Sequence, residues 1–107
     1  MYLLVVYVPE ENLENVKSAV FNAGGGKIDH YSHCSWQVLG RGQFKPEAGS
    51  SPFLGEVNKL ERVDEYRLEL VCQDSNIKKV VQAMIDAHPY ETPAYHFVKV
   101  STLDDLN

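Results

Sequence analysis

The segment YLLVVYVPEENLENVKSAVFNAG at residues 2–24 returns without a gap as YRLELVCQDSNIKKVVQAMIDAH at residues 66–88. Tyr2, Leu4, Asn12, Val16, Ala19 and Ala23 recur as Tyr66, Leu68, Asn76, Val80, Ala83 and Ala87. Val6 with Leu70, Leu13 with Ile77, Val20 with Met84 and Phe21 with Ile85 keep the same register. Each copy opens with a β-rich run and crosses a polar turn, Pro9 to Asn12 or Asp74 to Asn76. Apolar residues then follow at the three-and-four spacing of a helix face. In the first copy these are Leu13, Val16, Ala19, Val20 and Ala23; in the second, Ile77, Val80, Val81, Met84, Ile85 and Ala87. One βα unit is used twice.

The ends of the two helices are marked differently. Gly24-Gly25-Gly26 supplies the positive-φ residues of a helix C-cap, whereas the second helix is predicted to stop at His88, because Pro89 disfavours a helical residue before it. An imidazole there also suits the negative end of the helix dipole. A strand is predicted after each helix, roughly Ser32 to Gln43 and Ala94 to Val100. The resulting order is β-α-β-β-α-β, an α+β ferredoxin-like fold in which two helices cover one face of a four-stranded antiparallel sheet. The first strand, Leu3 to Val8, is apolar on both sides, so the other face is expected to be covered by neighbouring subunits.

At 107 residues the chain is expected to form one domain with a single core, marginal without partner subunits. A net charge of -5 without a block of like charges speaks against a nucleic-acid partner, which requires clustered cations. No window approaches the roughly 18 apolar residues of a membrane span, and Met1 leads directly into a strand pattern in place of a basic leader. A cytoplasmic protein with no membrane partner is expected. Cys34 and Cys72 lack CxxC spacing and are expected to be reduced thiols. The segment 42–58 between the middle strands exceeds the length of about 12 residues beyond which a loop tends to be functional or mobile. Its Phe44, Phe53 and Leu54 are expected to dock onto this subunit or a neighbour.

Four spaced motifs carry a resemblance: Tyr31-x-x-Cys34; Gly40-x-Gly42-x-Phe44-x-Pro46-x-x-Gly49-x-x-Pro52-x-x-Gly55; Glu61-x-Val63-x-Glu65-x-Arg67; and His88-Pro89-Tyr90-Glu91-x-Pro93-Ala94-Tyr95. Over residues 26–100 they resemble the YqfO-type domain of the Nif-three-like proteins, an insert similar to PII signalling proteins and CutA. The resemblance implies a PII/CutA-like homotrimer. It further implies a non-enzymatic binding or regulatory role toward a small-molecule effector or a protein partner. Nif-three-like proteins hold a metal pair in lobes flanking the insert, and 107 residues leave no room for those lobes. The chain is therefore expected to be a free-standing copy of the insert without dimetal hydrolase chemistry. Ser51, Thr92 and His96 stand where the commonest motifs carry Asn, an acid and Asp.

In PII-like trimers the long loop and the segment after the second helix meet at a subunit boundary. The ligand or interface candidates are accordingly Lys45, Glu56, His88, Tyr90, Glu91 and Tyr95, with Tyr90 and Glu91 facing a neighbour's loop. Lys45 would serve an anionic metabolite as a point charge. The architectural reading of residues 88–96 weighs more: two prolines impose an extended path and two tyrosines bury rings. A CutA-like divalent-metal reading, with zinc or copper, draws on His30, His33, Cys34, His88, Glu91 and His96. Residues three apart in a strand face opposite ways, so His30 and His33 would need ligands from another subunit. A small enzyme using Cys34 is the remaining alternative. It lacks a recognisable orienting group and oxyanion site, so no catalytic residue is assigned.

Overall fold

The computed structural model describes residues 1–107. β1 (Tyr2–Pro9) runs straight into α1 (Glu10–Asn22), followed by β2 (Trp36–Phe44), β3 (Glu61–Cys72), α2 (Ile77–Ala87) and β4 (Tyr95–Lys99), with a short 3₁₀ turn at Leu103–Asp105. The sheet order is β2-β3-β1-β4, and every neighbouring pair is antiparallel. The leading strands of the two repeats thus form the central pair, in register from Tyr2 opposite Cys72 to Pro9 opposite Glu65.

Local chemistry explains the junctions. Pro9, at φ -61, ends β1 and caps α1, and Glu10 and Glu11 occupy the first helical turn, where carboxylates complement the helix dipole. Of the polar turn expected at Pro9 to Asn12, the residues from Glu10 onward are therefore already helix. Leu4, Val6, Val8, Leu68, Leu70 and Cys72 line one sheet face and meet Leu13, Val16, Val20, Val80 and Met84 from the helices. Complete burial of each such aliphatic side chain contributes about 1.5–3 kcal/mol. Burial pushes the Cys72 thiol up to about 11, so it stays protonated and acts as a core hydrophobe.

β2 begins at Trp36, four residues later than the periodicity predicts. Asp29 and His33 hold φ values of 50 and 60, in the left-handed region that interrupts a strand, and Ile28 bridges Tyr31 in a tight turn. Gly26, at φ 74, stitches this turn to the sheet: its N–H donates to the Val71 carbonyl at 2.8 Å and its carbonyl accepts from Cys34 N–H at 2.8 Å. At the last strand, Tyr7 N–H donates to Ala94 O and Val100 N–H to Met1 O, so backbone pairing reaches both limits expected for β4.

β3 outruns β1: Glu61 to Asp64 pair with β2 alone, forming a two-stranded ribbon that carries the long loop at its tip. On the sheet face without helices, Leu3, Val5 and Tyr7 lie beside Val71, Glu69 and Arg67, with Trp36 and Val38 beyond them on β2 and His96 and Val98 on β4. Arg67 donates to Tyr7 Oη at 3.3 Å and to Glu69 at 3.2 Å. Trp36 at 59% exposure, Val38 and Val98 remain uncovered. No helix is long and apolar enough to cross a membrane.

Candidate functional site

The site is built from the end of α2 outward. His88 turns the chain from helix to extended backbone at φ -78 and ψ 138, and its ring is buried. Nδ1 lies 3.2 Å from the Tyr90 N–H, which can only donate, so Nδ1 accepts. Nε2–H then donates to the Tyr7 carbonyl at 2.7 Å. The two contacts fix one neutral tautomer and clamp the 88–90 turn onto β1. Burial holds the pKa of His88 below the usual histidine value, and the Tyr7 carbonyl offsets only part of that. Desolvation therefore overrides the favourable helix-dipole position read from the sequence.

The clamp delivers Tyr90 to a cluster of rings. Its ring centroid lies 4.9 Å from His88, 6.0 Å from Phe44 and 6.3 Å from Phe53. The next residue, Glu91, accepts the Ser51 N–H with both carboxylate oxygens at 3.2 Å, tethering the long loop. Between loop and segment lies a cleft of about 430 Å³ whose lining includes Phe44, Lys45, Phe53, Glu65, Tyr90 and Glu91. That volume lies within the range of small-molecule sites. The Tyr90 hydroxyl is fully buried without a well-formed hydrogen bond. Burial first, and the nearby Glu65 charge second, raise its pKa well above the ordinary phenol value. Tyr90 thus offers the cleft its ring. Gly42 makes room for Glu65, because a Cβ there would meet Glu65 Oε1 at 1.8 Å.

The structure regroups the sequence-derived candidates. Lys45, Tyr90 and Glu91 line the cleft together, but Glu56 stands apart, paired with Lys59 at 2.8 Å on the exposed surface. Tyr95 lies on β4 opposite Val6 and is not part of the lining. Within the chain Glu91 meets its own long loop, where a neighbour's loop was expected, because the loop folds back from the ribbon tip to Ser51. Glu47, Glu65 and Glu91 outnumber Lys45 in the lining, against the anionic ligand expected from the sequence. Glu65 joins the site without a signal in its own motif, and Phe44 and Phe53, expected to dock on this subunit or a neighbour, line the cleft of their own chain. The available signal was the β2–β3 register, which sets Gly40 opposite Glu65 and Phe44 opposite Glu61 near the ribbon tip.

The metal candidates remain dispersed. His30 is exposed in the turn before β2. His33, in that same turn and not in a strand, packs on Phe21 at 4.9 Å and contacts Ser32 Oγ through Nδ1 at 2.9 Å. His96 sits on β4 opposite Val5, and both ring nitrogens of His88 are engaged with backbone. No three His, Cys, Asp or Glu side chains of the chain converge as a metal site. The half-buried Cys34 finds only the Ser32 carbonyl, at 3.8 Å, and the Nδ1 of His33 is turned to Ser32.

These features define a ferredoxin-like domain of the PII/CutA kind. The chain is 53% identical over 91 residues to the Mycobacterium tuberculosis GTP cyclohydrolase 1 type 2 homolog, a match that covers 85% of the chain and 24% of the relative. It is 52% identical over 97 residues to the Bacillus subtilis protein of the same name, covering 91% and 26%. The crystal structure of the Bacillus cereus protein related to NIF3 superposes with a TM-score of 0.81 at 39% identity, over 94% of this chain and 26% of that one. The PII-like protein CutA from Nostoc superposes with a TM-score of 0.69 at 16% identity, over 99% and 86%, a likeness of fold alone. No family model matches the chain. By these relationships the chain is homologous to one segment of Nif-three-like proteins, and it spans about a quarter of the length of the curated relatives it matches.

Proposed function

We propose that the chain is a non-enzymatic, homotrimeric binding module of the cytoplasm, whose cleft between the long loop and residues 88–94 takes a small regulatory ligand. The observation that carries the reading is the cleft itself: rings and carboxylates from three separate segments converge there, and the Glu91 tether holds the long loop at its side. The two unpaired thiols suit a reducing compartment. The uncovered apolar sheet face, together with only 17 buried residues among 107, supports assembly, since a single chain this size leaves much apolar surface in water.

Two measurements test this reading. Light scattering is expected to give three times the 12.1 kDa chain mass, and a monodisperse monomer contradicts the assembly. A thermal-shift panel of amines, amino acids, nucleotides, phosphate, zinc and copper is expected to raise Tm with an organic compound, because a ligand that binds only the folded state stabilises it. The Phe53→Leu variant is expected to lose that rise. A rise confined to zinc or copper, retained in Phe53→Leu, favours the metal reading instead.

A further inference from the structure

We infer that the cleft selects a small organic cation, carrying an alkylammonium or guanidinium group, over an anion. The inference rests on the cleft being the binding site proposed above. Phe44, Phe53 and Tyr90 all line the cleft, with the rings of Phe44 and Phe53 packed on Tyr90 at centroid distances of 6.0 and 6.3 Å. Aromatic rings present a negative π face, and several of them enclosing one space attract an organic cation whose weak hydration makes desolvation cheap. An anion gains nothing from a ring face.

The charges around the rings point the same way. Glu47, Glu65 and Glu91 line the cleft against Lys45 alone. Glu91 accepts the Ser51 amide and keeps its charge, and neither Glu65 nor Glu91 is in an ion pair of the chain. Half-buried, with its charge felt at the Tyr90 hydroxyl, Glu65 is the carboxylate best placed to gain from a cation, since Glu47 and Glu91 are exposed and the attraction is stronger out of bulk water. Lys45 is exposed and pairs with none of the three carboxylates. Its flexible side chain can swing into solvent as a cation enters. Gly42 keeps its strand clear for the Glu65 carboxylate, so the acid at this position is accommodated by the backbone of the partner strand.

The test is an amide NMR titration of the assembled protein with tetramethylammonium chloride, with sodium chloride at matched ionic strength as the blank and sodium phosphate as the anionic arm. Saturable shifts confined to residues 43–54, 65 and 90–94 are expected with tetramethylammonium alone. Phe53→Leu keeps apolar bulk and removes the π face, and is expected to weaken binding about three- to tenfold. Glu65→Gln is expected to weaken it by at least as much, and the amide spectrum reports in both variants whether the fold persists. Saturable binding of phosphate in the cleft, without the cation, overturns the cation inference and leaves the binding reading standing. Tetramethylammonium shifts unchanged by both variants also overturn it, because the cation then sits elsewhere. No response to either probe overturns it too, and the thermal-shift panel then decides the binding reading separately.

Discussion

Replacing His88 with alanine is expected to cost about 3 kcal/mol of folding stability. The substitution strips the Tyr7 carbonyl and the Tyr90 N–H of their partner in a buried place, at about 1–3 kcal/mol for an unsatisfied group, and leaves a void where the ring was. The pH dependence distinguishes a neutral clamp from any charged role. The folded-state pKa of His88 lies below its ordinary value of 6.5, so as pH falls below that value the unfolded chain takes up the proton first. The stability that His88 contributes is therefore complete above about pH 6.5 and declines as pH drops toward the folded-state pKa. Urea unfolding of wild type and His88→Ala at pH 7.5 and 5.5 is expected to show the gap between them narrowing at the lower pH. A gap that widens on acidification means that the ring is charged when folded.

Gly26→Ala is the second large effect, expected at about 3 kcal/mol, since it combines a left-handed backbone with a collision. At φ 74 a side chain is strained in any surroundings, and here the added Cβ lies 2.7 Å from the Cys34 carbonyl oxygen and 2.8 Å from the Phe21 ring. The carbonyl is backbone held by the turn, so relief requires undoing the hydrogen bonds to Val71 and Cys34. Gly49 provides the control: its φ of 97 is equally unfavourable for alanine, yet nothing lies within 4 Å of the added atom. Chemical denaturation is expected to show Gly49→Ala costing only the conformational part, about 1–2 kcal/mol. Equal losses for the two variants would show that Gly26 does not stitch the turn to the sheet.

The contrast between these glycines also marks what was legible in the sequence. The repeated βα unit could be read because burial follows short-range periodicity: Leu13, Val16 and Val20, like Val80 and Met84, announce one helix face by spacing alone. The turn at residues 27–35 could not, because positive φ at Asp29 and His33 leaves no periodic trace and neither residue is glycine. At His88 two physical effects oppose each other, and only the packing of the ring against β1 decides that desolvation beats the helix dipole. The cleft lay further out of reach. Tyr90 and Glu91 stood out in a dense motif, but the sign of its charge depends on Glu47, Glu65 and Glu91, separated by 18 and 26 residues in sequence and united only when the loop folds back. Lys45, conspicuous beside the Gly motif, suggested the opposite sign.

The most direct measurement is a crystal structure of the protein grown with tetramethylammonium and with zinc in parallel. The expected result is density for the organic cation among Phe44, Phe53 and Tyr90, the Glu91–Ser51 tether in place, and no zinc held by His30, His33, Cys34 or His88. Zinc bound by those side chains across a subunit boundary, with the cleft filled by a neighbour's side chains, would contradict the account.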